Sequence, residues 1–382
     1  MDFGGADALL IIGDSDRSAD LFYATGFRAP DPFVFLWMPQ SRLLLIGDLE
    51  LDRARQQADA DEVLSLSHYT KSAAERQEQN GLPEGRYGAL LVLLAERQLR
   101  TLLVPADFPV EAADLLRQHG LTLQVAPAPL FPQRAKKRVD EVDAIAAAQA
   151  AAEGAMACAI EAIRCAEVRA DGVLVRNGEA LTSEALRRLV HGNLLESDYT
   201  AQHTIIACGE DGCDPHRIGS GPLEAGRPVI IDIFPRSDET GYFGDLTRTV
   251  VKGAPDEAVQ RMYDAVARGQ QLALEHIAAG VDGRDVHRQI EELFADEGFQ
   301  SGEKNGRMQG FFHGTGHGLG LEIHEAPSIS SSRSCILEEG QVVTVEPGLY
   351  YPGLGGVRIE DVVVVEEGGC RNLTAFPKYF EV

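Results

Sequence analysis

The sequence lacks the features of a membrane protein and of a nucleic-acid-binding protein. No apolar run approaches the roughly 20 residues of a membrane-spanning helix, and the N-terminal stretch has neither the basic nor the apolar region of a signal peptide. Basic residues are scarce: 35 Lys and Arg stand against 59 Asp and Glu, and the net charge of −24 opposes binding to DNA, RNA or anionic lipid. We therefore expect neither a nucleic acid nor a membrane as a partner.

Cysteine is also sparse, and the six cysteines form no Cys-x-x-Cys motif. Such thiols are typical of reduced, structural cysteines, which together with the missing signal peptide predicts a cytoplasmic location. The chain of 382 residues, 44% of them hydrophobic, is long enough for two or three domains of an ordinary globular protein.

Apolar patterning divides the chain into two parts. Residues 1–132 alternate short apolar runs with helical patterns, which is typical of an α/β domain, and residues 20–27 are predicted to form a loop. Prolines at 127, 129 and 132 predict a linker, and the charged run 134–138 after it is predicted to be a solvated helix start. Residues 133–382 predict an α+β domain whose strand-rich segments are interspersed with four helices, at 139–166, 181–194, 255–279 and 284–297.

One strand-like segment, His313 to Glu325, concentrates histidine and glycine. Glycines at 314, 316, 318 and 320 argue against a helix, because each interior glycine costs about 1 kcal/mol relative to alanine. This excludes two zinc ligands on one helical face, which the spacing of His313 and His317 would otherwise suggest. We expect an extended backbone in a crowded site, with one metal-binding histidine between two that contact substrate; a tight loop with structural histidines is the alternative.

Carboxylates occur in two predicted hairpins. Asp232 and Asp245 are equidistant from a polar turn, and Glu346 and Glu360 are equidistant from Gly353. Facing residues in such hairpins have Cβ atoms about 4.5–5.5 Å apart, and buried strands hold carboxylates only when these are paired or bind a metal. Asp361 alternates to the opposite face. Solvated acids on surface hairpins are the alternative.

Four carboxylates and one imidazole are enough to hold two divalent ions. The set suits Mn, Co, Zn or Fe, whereas the histidine argues against Ca. Two ions roughly 3.5–4 Å apart would hold a bridging water, lower its pKa and polarise a substrate carbonyl. The chemistry that this predicts is hydrolysis.

The motifs Asp245-Leu-Thr-Arg-Thr, His313-Gly-Thr-Gly-His317, Glu346-Pro-Gly and Val357-Arg-Ile-Glu360 resemble those of the prolidase and aminopeptidase P branch of the pita-bread metallopeptidases. The resemblance covers about 135 to 382, and Leu21 to Phe27 more loosely resembles an N-terminal stretch of that family. It implies an α+β pita-bread catalytic domain at 133–382, with two antiparallel sheet halves and covering helices, after a smaller α/β domain at 1–132. It also implies a homodimer.

The resemblance further implies a role for each matching residue. Asp232 would bind one metal, His317 and Glu346 the other, and Asp245 and Glu360 would bridge both. Glu346 would also act as general base. Four more residues would serve the substrate or the ligands: His324 at the oxyanion, His313 in the substrate site, His216 near the substrate or its proton transfers, and Arg358 either orienting the bridging glutamate or binding a substrate carboxylate.

One departure from the family lies between the two aspartates, whose interval of 13 residues is two longer than is common there. An even addition preserves the face of each side chain, so metal binding is still expected. Asp238 in the turn becomes a rival ligand, but it is expected to be exposed. The histidines left as structural or surface residues are His191, His203, His276 and His287.

The predicted function is dinuclear metal-dependent hydrolysis of the X-Pro bond in dipeptides, with Mn as the first choice of metal and Co, Zn or Fe as alternatives. The substrate would be a small peptide with proline at the second position. The alternative is an aminopeptidase P that acts on longer X-Pro peptides. A candidate of another class is a non-catalytic pita-bread binding protein, but such relatives have usually lost ligands that this chain retains.

Overall fold

The structure, a computed structural model, describes residues 3–382 except for the side chains of 77–80. The chain forms two compact units, Met1–Arg134 and Ala135–Val382. Each has its own apolar cores. Within the described residues, no helix is both long and apolar enough to cross a membrane.

The N-terminal unit is built on one mixed sheet. Its strands, in the described part of the unit, are β1 (Ala8–Gly13), β2 (Phe33–Met38), β3 (Ser41–Ile46), β4 (Glu62–Ser65), β5 (Thr101–Val104) and β6 (Thr122–Val125). They lie in the order β4-β3-β2-β1-β5-β6. Both faces of β1 are buried, because Leu9 packs in the apolar core on one side of the sheet and Leu10 in the core on the other side. This is why the sequence of β1 is a continuous apolar run.

Helices cover this sheet, as the α/β prediction requires: α1 (Ala19–Thr25), α2 (Asp48–Gln57), α3 (Leu66–Asn80), α4 (Gly85–Glu96) and α5 (Val110–Gln118). The predicted loop at 20–27 is wrong, because α1 occupies most of it. Ser18 Oγ accepts a hydrogen bond from the Leu21 N–H at 3.2 Å, and Gly26, with φ of 60°, ends the helix. Two capping signals stabilise a helix of only seven residues.

The C-terminal unit contains helices α6 (Val139–Arg164), α7 (Ser183–Leu195), α8 (Glu257–His276) and α9 (Gly283–Asp296). Its first strands are β7 (Glu167–Val168), β8 (Leu174–Arg176), β9 (Glu179–Ala180), β10 (Tyr199–Thr200), β11 (Ile205–Cys208), β12 (Pro228–Ile233), β13 (Arg236–Ser237) and β14 (Leu246–Val251). The others are β15 (Gly302–Lys304), β16 (Arg307–Gln309), β17 (Gly316–Gly318), β18 (Glu325–Ile329), β19 (Val342–Val345), β20 (Gly348–Tyr351), β21 (Gly355–Arg358), β22 (Asp361–Glu366) and β23 (Gly369–Asn372). Helix α8 ends three residues before the predicted end, because Ile277 is already extended, with ψ of 116°.

Two antiparallel sheets form the halves of this unit. The first, in the order β11-β12-β14, packs on α6 and α7, and the second, β18-β17-β19-β22-β23, packs on α8 and α9. Ile231 and Ile233 of β12 enter the core beneath α6 and α7. By strand alternation, Asp232 between them points away from those helices. The predicted arrangement of two sheet halves with covering helices is confirmed.

Candidate metal centre

The first pair of aspartates lies on strands β12 and β14, with a register that differs from the predicted one. Asp232 pairs with Thr247, and the ladder ends at Ile233 and Leu246, so Asp245 lies just outside it. The predicted pairing of Asp232 with Asp245 is therefore wrong by two residues. Because a shift of two keeps each side chain on its face, both carboxylates still point to the same side, and both are buried.

The second pair follows the predicted register. Val345 of β19 pairs with Asp361 of β22, and Gly348 of β20 pairs with Arg358 of β21. Both ladders place residue 346 opposite residue 360. The predicted hairpin centred on residue 353 is confirmed.

The five predicted ligands line one cavity of about 860 Å³. Ligand atoms of Asp245, His317 and Glu360 all lie within 4.8 Å of one another. His317 Nε2 is also 3.3 Å from Glu346 Oε1. Asp232 Oδ1 is buried and has no hydrogen-bond partner. The two hairpins and the glycine-rich strand therefore bring all five side chains to one place.

The residues fit a divalent cation. Burial, and then the charges of Glu360 and Asp232, raise the pKa of Asp245 well above its usual value. Burial and the neighbouring Glu346 raise the pKa of Glu360 to about 8. A cation bound here would offset this repulsion, and Asp232 Oδ1, which has no hydrogen-bond partner, could serve as one of its ligands. A set of carboxylates with one imidazole suits transition metals such as Mn, Co, Zn or Fe.

Arg358 holds Asp232 rather than Glu360. Arg358 is buried, and its guanidinium donates from Nη2 to Asp232 Oδ2 at 2.6 Å and from Nη1 to the Tyr350 hydroxyl at 2.9 Å. Its influence on Glu360 passes through Thr247, whose hydroxyl lies 3.3 Å from Arg358 Nε and donates to Glu360 Oε2 at 2.7 Å. Of the two expected roles, these contacts support orientation of a ligand.

The three other histidines predicted to serve the site, His216, His313 and His324, line the same cavity. His313 Nε2 is 2.9 Å from the Tyr350 hydroxyl, and burial lowers the pKa of His313 to about 4. The His324 ring meets the His317 ring edge to face, with centroids 4.4 Å apart. Burial, and then the charge of His317, lower the pKa of His324. His216 is exposed at the cavity wall.

Comparison with known proteins identifies the family. The model of metallopeptidase family M24 matches residues 143–367. The chain belongs to metallopeptidase family M24. A Xaa-Pro dipeptidase from Pyrococcus furiosus is 40% identical over 172 residues, which cover 45% of this chain and 47% of that protein. The chain spans about half the length of the curated relatives it matches.

Solved structures agree over almost the whole chain. The X-Pro aminopeptidase from Thermotoga maritima superimposes with a TM-score of 0.81 and 25% identity, covering 99% of this chain and 98% of that one. The prolidase from P. furiosus, at 24% identity, has a TM-score of 0.79 and covers 98% of each chain, which shows the shared fold. The predicted prolidase-type M24 fold is confirmed.

The glycines of β17, the strand that contains His317, allow the neighbouring strands to pack closely against it. A Cβ on Gly316 would lie 1.9 Å from the carbonyl oxygen of Thr344, and one on Gly318 would lie 2.3 Å from that of Ala326. The predicted close approach of the backbone at these glycines is confirmed, but it is an approach to the backbone of the neighbouring strands. Within the segment His313 to Glu325, which is predicted to be extended, only the three residues of β17 and the first residue of β18 lie in strands.

The connection between Asp232 and Asp245 contacts both helix α6 and the loop that carries His324. The Tyr242 hydroxyl donates to Glu141 Oε1 of α6 at 2.7 Å, and the Phe243 N–H donates to the Gly320 carbonyl at 2.9 Å. Asp238 is exposed and accepts a hydrogen bond from the Thr200 hydroxyl at 3.2 Å, as expected of a turn residue rather than a ligand.

Lys137 holds the other end of the same loop. Its Nζ lies 2.6 Å from Glu325 Oε1, and the two side chains are 1% and 9% exposed. The prediction that this charged run is solvated is wrong for Lys137. The neighbouring Lys136, 53% exposed, pairs with Glu338 at the surface, so one lysine of the run fits the prediction and the next does not.

Arg248 lies behind Glu360, one of the two carboxylates predicted to bridge the metal ions. This 1% exposed guanidinium donates from Nη1 to the Glu360 carbonyl at 2.6 Å and from Nη2 to Asp361 Oδ1 at 2.9 Å. It also donates to the carbonyls of Phe376 at 2.6 Å and Pro377 at 3.2 Å. Asp361 thus lies on the far side of the strand from the ligands, as predicted, and the C-terminal segment closes the back of the centre.

Sequence reasoning missed part of the cavity wall. His203, expected to be a structural or surface residue, lines the cavity together with apolar side chains, and its φ of 60° is unusual for a residue other than glycine. The apolar side chains are Ile205, Ile218, Phe234, Phe312 and Ile323. Each lies close in sequence to a candidate site residue or a strand end, but the sequence gives no sign that they meet. The expected structural role of His287 is confirmed, since it is buried and lies 2.9 Å from the Thr315 hydroxyl.

Proposed function

We propose that this chain is a metal-dependent peptidase that hydrolyses the bond before proline in X-Pro dipeptides. The observation that carries the proposal is the convergence of Asp232, Asp245, His317, Glu346 and Glu360 in one cavity, with a buried carboxylate oxygen that has no protein partner. Two divalent ions held there, Mn as first choice, would supply Lewis acidity, which polarises a carbonyl and lowers the pKa of a water molecule.

Glu346 carries out the proton transfers of the reaction. Glu346 Oε1 lies 3.3 Å from His317 Nε2 and accepts a hydrogen bond of the same length from the Thr344 hydroxyl, so its carboxylate is held in one orientation. It takes a proton from the water that attacks the carbonyl carbon. As the C–N bond breaks, Glu346 passes this proton to the proline nitrogen, which leaves as a neutral amine.

His324 stabilises the developing oxyanion. Its pKa is lowered by burial, so the neutral ring donates an N–H hydrogen bond as the carbonyl oxygen gains negative charge. His313, held by the Tyr350 hydroxyl, lies on the wall of the same cavity and contacts the substrate. His216 lines it from the exposed side.

The preference for proline follows from the chemistry of its bond. The ring nitrogen of proline, which forms the X-Pro bond, carries no hydrogen, so an enzyme that needs a hydrogen bond from the N–H of the cleaved bond binds this substrate poorly. The chemistry proposed here needs only the carbonyl oxygen. Ile205, Phe234 and Phe312 offer the ring an apolar surface on the same cavity.

A second candidate, an aminopeptidase P acting on longer X-Pro peptides, is favoured by a charge argument. Among the described residues that line the cavity, Arg358 is the only Arg or Lys, and its guanidinium is engaged with Asp232 and Tyr350. A dipeptide places its C-terminal carboxylate close to the scissile bond and would find only histidines and hydroxyls there. A longer peptide carries that charge further away.

A substrate length series separates the candidates. Purified protein is freed of metal, loaded with Mn, Co or Zn, and given X-Pro, X-Pro-Y and longer peptides at equal concentration, with release of the first residue measured. Turnover of X-Pro alone supports the dipeptidase, and turnover that rises with length supports the aminopeptidase. If the metal-loaded protein cleaves none of them, the peptidase proposal is wrong and a binding role remains.

Location and assembly are also proposals. All six cysteines are free thiols, which supports a cytoplasmic protein, and the resemblance to prolidases supports a homodimer. Light scattering after size-exclusion chromatography measures the assembly directly.

A further inference from the structure

Gln149 of helix α6 is bonded to the backbone of Asp245. The side chain is fully buried, its Oε1 accepts the Asp245 N–H at 2.8 Å, and its Nε2 donates to the Asp245 carbonyl at 2.8 Å. Asp245 lies just beyond the β12–β14 ladder, so these two groups have no ladder partners. Gln149 supplies both partners and fixes the orientation of the two peptide groups on either side of the Asp245 Cα.

The same amide is connected to β22, the strand that directly follows Glu360, the other proposed bridging carboxylate. Its Nε2 also donates to the Thr374 hydroxyl at 2.9 Å, and that hydroxyl accepts the N–H of Val362 at 2.9 Å. Val362 is two residues beyond Glu360. Since a side-chain NH₂ group has two hydrogens, one serves Asp245 and the other Thr374, and the amide is fully used.

The helix cannot move independently of Asp245. A Cβ placed on Gly244 would lie 2.6 Å from the carbonyl oxygen of Ala148, so the residue before Asp245 rests directly on the helix backbone beside Gln149. Only glycine allows this approach. Any shift of α6 is therefore transmitted to the metal ligand that follows.

We propose that Gln149 is a positioning residue that sets the separation of the two bridging carboxylates, Asp245 and Glu360, and thereby the affinity for the second ion. The inference rests on the metal centre of the proposed function. A buried amide costs free energy unless all its groups are satisfied, and an apolar side chain of similar length would fill the same space in this alanine-rich helix. The hydrogen bonds to Asp245 and Thr374 therefore explain why a glutamine occupies this position.

The test compares graded variants by direct metal titration. Gln149→Met removes the acceptor and both donors at similar length, and Gln149→Glu keeps the acceptor for the Asp245 N–H but loses the donors. Thr374→Val removes the hydroxyl link at constant shape, whereas Thr374→Ser retains it. Gln271→Met, an exposed glutamine of α8 that bonds only Glu275, is the matched control.

Calorimetric titration of the metal-free proteins with Mn, together with the visible spectrum of the Co-loaded proteins, measures the centre without reference to turnover. We expect the second ion to bind about 10–100-fold more weakly in Gln149→Met and in Thr374→Val, in the range known for residues that orient metal ligands. Gln149→Glu should be affected too, while Thr374→Ser and Gln271→Met should match the wild type.

Two results would overturn the inference in different ways. If the wild-type protein binds two ions and Gln149→Met and Thr374→Val bind both with unchanged affinity and spectrum, Gln149 does not position the centre, although the metal centre stands. If the wild-type protein itself binds fewer than two ions, the dinuclear centre is wrong and the inference falls with it. If Gln149→Met does not fold, the comparison of Thr374→Val with Thr374→Ser tests the inference by itself.

Discussion

Replacing Lys137 by methionine tests the buried ion pair that holds the His324 loop. Methionine keeps the length and apolar stem of lysine but removes the charge that lies 2.6 Å from Glu325 Oε1. Both side chains are more than 90% buried, so solvent screens the interaction little. Breaking a buried pair by removing one partner costs about 3–5 kcal/mol, and we expect a loss of that size in the free energy of unfolding.

Lys136→Met is the matched control, because it makes the same substitution one residue earlier. Lys136 and Glu338 are each more than half exposed, and surface ion pairs contribute little. Equilibrium unfolding in urea of the two metal-free variants and the wild type gives the comparison. None of the five proposed metal ligands is altered, so Lys137→Met should retain wild-type metal content while turnover falls. Equal stability of the two variants would refute the buried pair.

Three other predictions concern the site and its surroundings. Glu346→Gln should lower kcat by about 10²–10⁴-fold as a lost general base; proline release measures this, and turnover near that of the wild type contradicts the assignment. Burial raises the pKa values of Cys208 and Cys213 to about 11, above those of the unfolded thiols, so they contribute stability at lower pH that is lost as the pH rises from about 9 to 11. Urea unfolding across that range should show the loss, and it should be smaller in Cys213→Ala. Tyr242→Phe removes the hydrogen bond to Glu141 and should cost about 1–3 kcal/mol in the free energy of unfolding, measured by urea unfolding; no change would mean that the long turn does not brace α6.

The positions of the candidate metal ligands could be predicted because their constraints are local. An acidic residue inside an apolar strand is conspicuous in any sequence, and alternation along the strand fixes its face without knowledge of the partner strand. For this reason the position of Asp232 survived an error of two residues in the register of its hairpin. The spacing around Gly353 gave the second register correctly, because β20 and β21 form a compact hairpin about that residue.

Features that depend on distant contacts could not be predicted. Lys137 in a charged run has the same local pattern as the exposed Lys136, and only the position of Glu325 distinguishes them. Gln149 is a single polar residue among alanines, and its proposed positioning role depends on contacts with Asp245 and Thr374, which are far away in sequence. Helix α1 was missed because its two capping residues stabilise a segment too short to show a helical period.

The C-terminal segment behind the metal centre has a consequence for how the protein is made. Thr374, Phe376 and Pro377 bond the side chains of Gln149 and Arg248, which in turn hold the backbones of Asp245 and Glu360. During translation every ligand leaves the ribosome before these three residues do. A nascent chain therefore displays all five candidate ligands before it can fix their spacing, so we expect tight metal binding only once residues 374–377 have been made and packed. Proteolytic removal of these residues should weaken metal binding without altering any candidate ligand.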